Sequence, residues 1–265
     1  MVGNKRFHPQ VSGWLLALAT AALWSGCAAH QPKMAAATYE GPATAIGAGN
    51  ARSFVTLDAA GKPETIGIRL SAAALRGLPA EEPKDAIERE YLLRLPPQAA
   101  GLGYDHIGID WNPHGHLPQG IYDKPHFDFH FYFIDTAARE RISAVGADLE
   151  RAHRLPAAEL MPAGYILPPG TEVPRMGAHA IDPQGAEFSG QGFTKTFLYG
   201  FYDGRMIFIE PMITTAFLET KPALHTPIAV PEQYPGPGYY PIRYGVVYND
   251  ARQEYEITLE GLTRH

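Results

Sequence analysis

Residues 126–133 read His-Phe-Asp-Phe-His-Phe-Tyr-Phe, an alternation of polar and apolar positions with a period of two. Successive side chains of an extended strand point to opposite sides. His126, Asp128, His130 and Tyr132 therefore fall on one face, and Phe127, Phe129, Phe131 and Phe133 on the other. Elsewhere, apolar runs at 53–57 and 65–70, separated by the turn-forming Asp58-Ala-Ala-Gly-Lys-Pro, predict a first hairpin. Residues 71–78 read as a short helix, 90–95 and 106–111 as strands, and 112–125 as a Pro- and Gly-rich loop. Helical spacing over 136–153 puts Ala137, Ile142, Val145 and Leu149 on a buried side. Runs at 193–202 and 205–212 flank Asp203-Gly204, residues that tolerate the positive φ of a type I′ turn. A last hairpin is expected at 243–248 and 254–259, joined across Asn249-Asp-Ala-Arg-Gln. With 24 prolines and 27 glycines favouring turns over long helices, the pattern predicts a mainly β fold, a β-barrel or sandwich with one or two covering helices.

The first residues belong to a different pattern. Lys5 and Arg6 precede an apolar run over 11–24, the length of a signal-peptide core and short for a membrane span. The run ends at Trp24-Ser25-Gly26-Cys27, and Cys27 is the one cysteine of the chain. Small residues before a lone cysteine resemble a bacterial lipobox, although Trp24 stands where an aliphatic residue is usual. That resemblance implies a signal peptide over 1–26, lipidation of Cys27, a tether over 27–38 and a single β-rich domain over 39–265. It also implies a membrane as partner through the anchor. The protein would be a periplasm-facing lipoprotein of the cell envelope, and Ala28 would permit sorting to the outer membrane.

Removing residues 1–26 takes away Lys5 and Arg6 and no acidic residue, so the formal charge moves from −6 to −8. A chain this acidic is poorly suited to nucleic acid. No disulfide is available inside the mature domain, and stability there must come from core, metal or oligomer. About 240 residues is ample for a core.

Five of the 11 histidines lie between His106 and His130, interspersed with Asp110, Asp123 and Asp128. Ions of the zinc, iron, manganese and copper group favour imidazole nitrogen with carboxylate oxygen where no thiolate is present. The candidate ligands are His114, His116, His126, His130, His179 and Glu210, and the candidate proton carriers are Asp128 and Glu210. On a straight strand the Cα atoms of His126 and His130 are roughly 13 Å apart, so either of them pairs more easily with Asp128 than with the other. On a regular strand Glu210 shares a face with Met206, Phe208 and Met212. A carboxylate in that company needs a partner, as ligand, as general base or as half of an ion pair with an arginine. The blander alternative is a hydrogen-bonded sheet face packed with Tyr132.

Other motifs carry little. Gly47-Ala-Gly49 lacks the strand, helix and acidic residue of a dinucleotide site, and the Gly-x-Ser-x-Gly, His-Glu-x-x-His and phosphate-loop patterns are missing. Tyr239, Tyr240 and Tyr244 line either a core or a small-molecule cavity.

Five motifs in order, Asp110-Trp-Asn-Pro-His-Gly-His, Pro125-His-Phe-Asp-Phe-His-Phe-Tyr, Pro174-Arg-Met-Gly-Ala-His, Phe193-Thr-Lys-Thr-Phe and Glu210-Pro-Met-Ile-Thr, resemble a family of exported bacterial β-rich proteins known as a domain of unknown function. The resemblance runs from Tyr39 to Leu262 and brings no activity with it. Cupins offer a looser analogy, but no Glu follows His114-Gly-His116 before Glu140. Alpha-type carbonic anhydrases offer another, but Asp128 occupies the middle position of the strand. Three function classes follow: a divalent-metal protein, an enzyme if the ion keeps an open position; a module binding a small molecule; and a structural homo-oligomer whose His/Asp face is a subunit contact.

Overall fold

The computed structural model describes residues 1–4, 35–81 and 90–265. The apolar run at 11–24, Cys27 and the tether up to residue 34 lie outside the described residues. Met34–His265 forms one compact unit.

Sixteen strands run through the described residues. The first seven are β1 (Ala37–Glu40), β2 (Thr44–Ile46), β3 (Gly49–Leu57), β4 (Pro63–Ser71), β5 (Glu90–Arg94), β6 (His106–Asn112) and β7 (His126–Tyr132). Next come β8 (Glu172–Val173), β9 (Gly177–Ala180), β10 (Lys195–Tyr202), β11 (Arg205–Thr214) and β12 (Ala223–Pro227). The last are β13 (Tyr239–Tyr240), β14 (Arg243–Asn249), β15 (Glu254–Glu260) and β16 (Thr263–Arg264). The protein is mainly β, as its pattern predicts. One seven-stranded antiparallel sheet has the order β1-β3-β4-β15-β14-β12, with β2 on β3; a second has the order β5-β6-β7-β11-β10-β9-β8; β13 and β16 pair separately.

The two large sheets share one core. Val55, Ile66, Ile68, Val246, Ile257 and Leu259 of the first meet Ile107, Ile109, Phe127, Phe129, Phe131 and Ile209 of the second. Each fully buried phenylalanine contributes roughly 1.5–3 kcal/mol, so the aromatic half of the β7 alternation fixes which way that strand faces. At one corner the sheets are stitched by hydrogen bonds from Ser53 Oγ to the Arg94 carbonyl (2.6 Å) and from Thr44 Oγ1 to the Leu92 carbonyl (3.1 Å).

An antiparallel sheet commonly leaves its second face wet. Here β6 and β7 are buried at every position. Two smaller apolar clusters cover the second face: Tyr132, Ile142, Ala144, Ala152, Ile207 and Phe208 in one, and Tyr122, Phe193, Leu198 and Met212 in the other. The polar half of the alternation is therefore enclosed.

The expected hairpins form at β3–β4, β10–β11 and β14–β15, the second turning at Asp203 and Gly204 with φ of 54° and 74°. The helix expected over 136–153 does not form as one piece. Thr136–Glu140 (α1) and Leu149–Ala152 (α2) are single turns. Between them Ala144 and Gly146 take positive φ, and the Asp148 carboxylate accepts the backbone N–H groups of Ser143 and Ala144 at 2.9 and 3.0 Å. A side chain that competes for backbone donors ends helices. Val145 is consequently 62% exposed, and the residue of α1 that goes inward is Arg139 rather than Ala137. The short helix expected at 71–78 is a 3-10 turn over Ala72–Leu75. Thr215–Glu219 (α3) follows β11 directly, its first turn capped by Thr214 Oγ1 accepting from Phe217 N.

Candidate metal centre

Across β6 and β7, Asn112 stands opposite His126, Asp110 opposite Asp128, and Gly108 opposite His130. On the other flank β11 sets Thr214 opposite His126 and Met212 opposite Asp128, while its pairing with β7 lapses at Glu210 and Pro211. Proline has no N–H to give to a ladder. The two strands are thus not locked together where His130 Nε2 faces Glu210 Oε1 across 3.4 Å. The expected neighbours of Glu210 hold for Phe208 and Met212 but not for Met206. A bulge in the β10–β11 register beside Gly200 puts one extra residue on β11, which turns Met206 over into the main core and Ile207 toward the cover.

Two outlying histidines are brought in by glycines. His179 of β9 stands opposite Gly200, and Gly200 opposite Phe208. A Cβ on Gly200 would overlap the Phe208 ring. Its absence lets that ring pack on His130 and His179, with centroids 4.9 and 5.3 Å away. His116 arrives from the loop after β6. Gly115, at φ 77°, has Tyr122 O where its Cβ would be, so the loop doubles back and His116 N donates to Tyr122 O at 3.3 Å. The His116 ring then lies 4.8 Å from the His126 ring. His114, on the far side of Gly115, is exposed.

The result is two groups rather than one. His116, His126 and Asp128 form the first, and His130, His179 and Glu210 the second, each with ligand atoms within 4.8 Å of one another. His114 joins neither. His126 and His130, too far apart for one ion on a straight strand, fall into different groups.

Proton accounting shows what each group lacks. A carbonyl can only accept, so the ring nitrogen beside it must carry hydrogen. His116 Nδ1 donates to Leu117 O (2.7 Å), His126 Nδ1 to Lys124 O (2.7 Å) and His179 Nδ1 to Thr171 O (2.9 Å). In each ring the other nitrogen, Nε2, is then the lone-pair atom of the neutral form, and it faces a carboxylate. The distances are 3.4 Å from His116 to Asp128, 3.1 Å from His126 to Asp128 and 3.6 Å from His179 to Glu210. His130 differs only in that Asp110 Oδ2, 3.0 Å from Nδ1, stands where the others have a carbonyl. The Asn112 amide, with Nδ2 3.4 Å from His126 Nε2, offers that ring one donor; elsewhere acceptor faces acceptor, which is repulsive unless a proton or a cation lies between. Asp110 Oδ2, Asp128 Oδ1, both ring nitrogens of His130 and Glu210 Oε2 are buried without an aligned hydrogen-bond partner.

Without an ion, protons have to fill that role. Burial pulls the His116 and His130 imidazoles down, but Asp128 beside the first and Glu210 and Asp110 beside the second outweigh it and raise each to about 9. Burial pushes Glu210 up to about 8, against the pull of His130. Burial, with the positive charge of His130 and His116 adding to it, lowers His179 to about 4. Asp110 is raised, chiefly by burial; Asp128, despite burial, is held well below the usual range by His126 and His116. Among the described residues the ion-pair partners of Asp110, Asp128 and Glu210 are histidines alone. Glu90, further along the same face, is by contrast paired with Arg139 and Arg175.

Three participants lie outside the predicted ligand set. Asp110 is legible as an acid near the cluster, but its place opposite Asp128 depends on a register that a long loop conceals. Asn112, whose Nδ2 donates to Asp128 Oδ2 at 2.7 Å, carries no signal beyond its nearness to His114. Arg139, fully buried with its guanidinium 4.2 Å over the Tyr132 ring, sits at what reads as the solvent side of a helix.

The family model of the TTHB210-like family, described as hypothetical protein TTHB210, matches residues 58–111. Over that stretch, which runs through β4, β5 and most of β6, the chain is similar to an uncharacterised family. The match includes Glu90, His106 and Asp110 and ends before His116. No curated protein and no solved structure matches the chain.

Proposed function

We propose that this is an exported, lipid-anchored metalloprotein whose second sheet holds a divalent transition ion, of the zinc, iron, manganese or copper group, through histidines and carboxylates. The observation that carries the reading is the burial of Asp128 and Glu210 against His116, His126 and His179, whose Nδ1 atoms are already committed to carbonyls. Uncompensated buried carboxylates are costly. A metal-bound histidine characteristically donates its other N–H to a carbonyl or carboxylate, which fixes the ring and its tautomer. Nitrogen and oxygen donors without thiolate match these metals. An ion with an open position would activate water, and Asp128 or Glu210 would move the proton.

Export and anchoring are supported by Lys5 and Arg6, the apolar run at 11–24 and the small residues before Cys27. On this reading the protein belongs to the cell envelope, facing the periplasm from the outer membrane. The five ordered motifs support membership of an exported β-rich family.

The test is elemental analysis of the full-length protein, purified without a metal-binding tag, beside a His126→Ala/His130→Ala variant. Near-stoichiometric metal that the variant loses supports the reading; a folded, metal-free wild type that refuses added ions overturns it. A second reading, non-catalytic binding of a small molecule, is favoured by a cavity of about 460 Å³ between Tyr104, Phe133 and Arg264, beside which the Tyr104 hydroxyl is buried and unpartnered. Ligand binding there would survive alanine at His126 and His130.

A further inference from the structure

We infer that the enclosed face holds two ions of unequal accessibility, a sealed inner ion at His130, His179 and Glu210 and an exchangeable outer ion at His116, His126 and Asp128. The inference rests on the metal reading above and goes beyond it in number and in division of labour.

Each group is complete in itself. Asp128 turns Oδ1 to His126 and Oδ2 to His116, while Glu210 turns Oε1 to His130 and Oε2 to His179. No ligand has to be shared for each ion to have two nitrogens and a carboxylate. The groups are also adjacent. Asp128 and His130 are successive residues on one face of β7, which sets their Cα atoms roughly 7 Å apart.

Their surroundings differ. In the inner group the side-chain exposures are 1% for His130, 2% for Glu210 and 13% for His179, and all three residues stand on strands. Phe208 packs on both of its imidazoles. In the outer group His126 and Asp128 are as deeply set, but His116 is 36% exposed and is carried by a loop. An ion there has solvent on one side and three protein ligands on the other, the arrangement that leaves a coordination position open. The occupant of that position is water or a small monodentate anion with an oxygen or nitrogen donor. The inner ion, with no such opening, holds strands β7, β9 and β11 together. His116 is thus the residue that makes the outer site, and His179 the one that makes the inner.

The experiment loads the full-length protein with cobalt(II) and counts ions before and after a brief exposure to a chelator, in wild type, His116→Ala and His179→Ala, with His179→Asn as the shape-preserving alternative and circular dichroism to confirm folding. Two equivalents are expected in the wild type, one leaving quickly and one slowly. His116→Ala should keep one slow equivalent, and His179→Ala one fast equivalent. Added azide should shift the cobalt visible bands of wild type and of the His179 variants and leave those of His116→Ala unchanged. A single wild-type equivalent, lost from both variants, overturns the two-ion inference and leaves the metal reading standing. Two equivalents that leave at one rate overturn the inequality. No cobalt in any folded form overturns both readings.

Discussion

Asp110 and Asp128 face each other directly across β6 and β7, both 5% exposed, and among the described residues no lysine or arginine is paired to either. Like charges directly opposite in an antiparallel pair repel; in the metal-free protein that repulsion works against the attraction of each carboxylate for its histidines, and a bound cation would relieve it. Asp110→Asn removes that repulsion together with the attraction of Asp110 for His130 at 3.0 Å; if the repulsion is the larger, the metal-free form gains about 1 kcal/mol and the gain in Tm on adding metal shrinks. Melting curves with chelator and with zinc, for both proteins, measure the two effects separately. A variant less stable than wild type in chelator would contradict the account.

Gly200→Ala tests how His179 is delivered. The added methyl group runs into the Phe208 ring, and overpacking of this kind costs about 1–3 kcal/mol. Because Phe208 packs on His130 and His179, the variant should also bind less metal at that group while His116, His126 and Asp128 keep theirs. Urea denaturation and metal counting give the two numbers.

Among the described residues Arg139 is the largest fully buried side chain, and it pairs with Glu90. Arg139→Met should cost about 3–5 kcal/mol, because it strands a buried carboxylate, with Arg175 holding the loss toward the lower end. Adding Glu90→Gln should recover most of it. Chemical denaturation of the two single variants and the double variant measures the coupling; additive losses would show that the pair does not act as one unit.

The other sheet supplies a pH dependence independent of metal. Burial pushes Glu260 up, but hydrogen bonds involving Arg243, Thr258 and His225 outweigh it and hold the carboxyl below its ordinary value of 4.5. A carboxyl depressed in the folded state adds stability above its unfolded value, and that stability is lost as pH falls through the folded value. Stability should therefore decline below pH about 4.5 in wild type, and Glu260→Gln should flatten that part of the curve. Unfolding followed at fixed pH steps from 6 to 3 would show it, and parallel curves for both proteins would count against it.

The sheet strands were readable because their signals are local. Alternation in β7, Asp203-Gly204 between β10 and β11, and the turn cluster after Leu57 each lie within a few residues of the element they specify. The candidate ligand face was readable for the same reason, since His126, Asp128 and His130 share a face by period alone. The division into two groups was not, because it depends on β9 crossing to β10 at Gly200 and on Gly115 folding the loop back to Tyr122. Those are long-range approaches that show in a sequence only as glycines. The helix expected over 136–153 failed at Asp148, whose side chain caps a turn that apolar spacing alone does not register.

The inner group draws its three members from β7, β9 and β11, strands separated by long stretches of chain. No segment of the unfolded polypeptide contains the set, so an ion cannot template early folding in the way a compact zinc-finger loop allows. Binding there would wait on the slow, non-local closure of the sheet. On the metal reading, the identity of the ion would then be decided by whichever pool surrounds the chain when the sheet completes, and not by the pool present while β7 alone is formed.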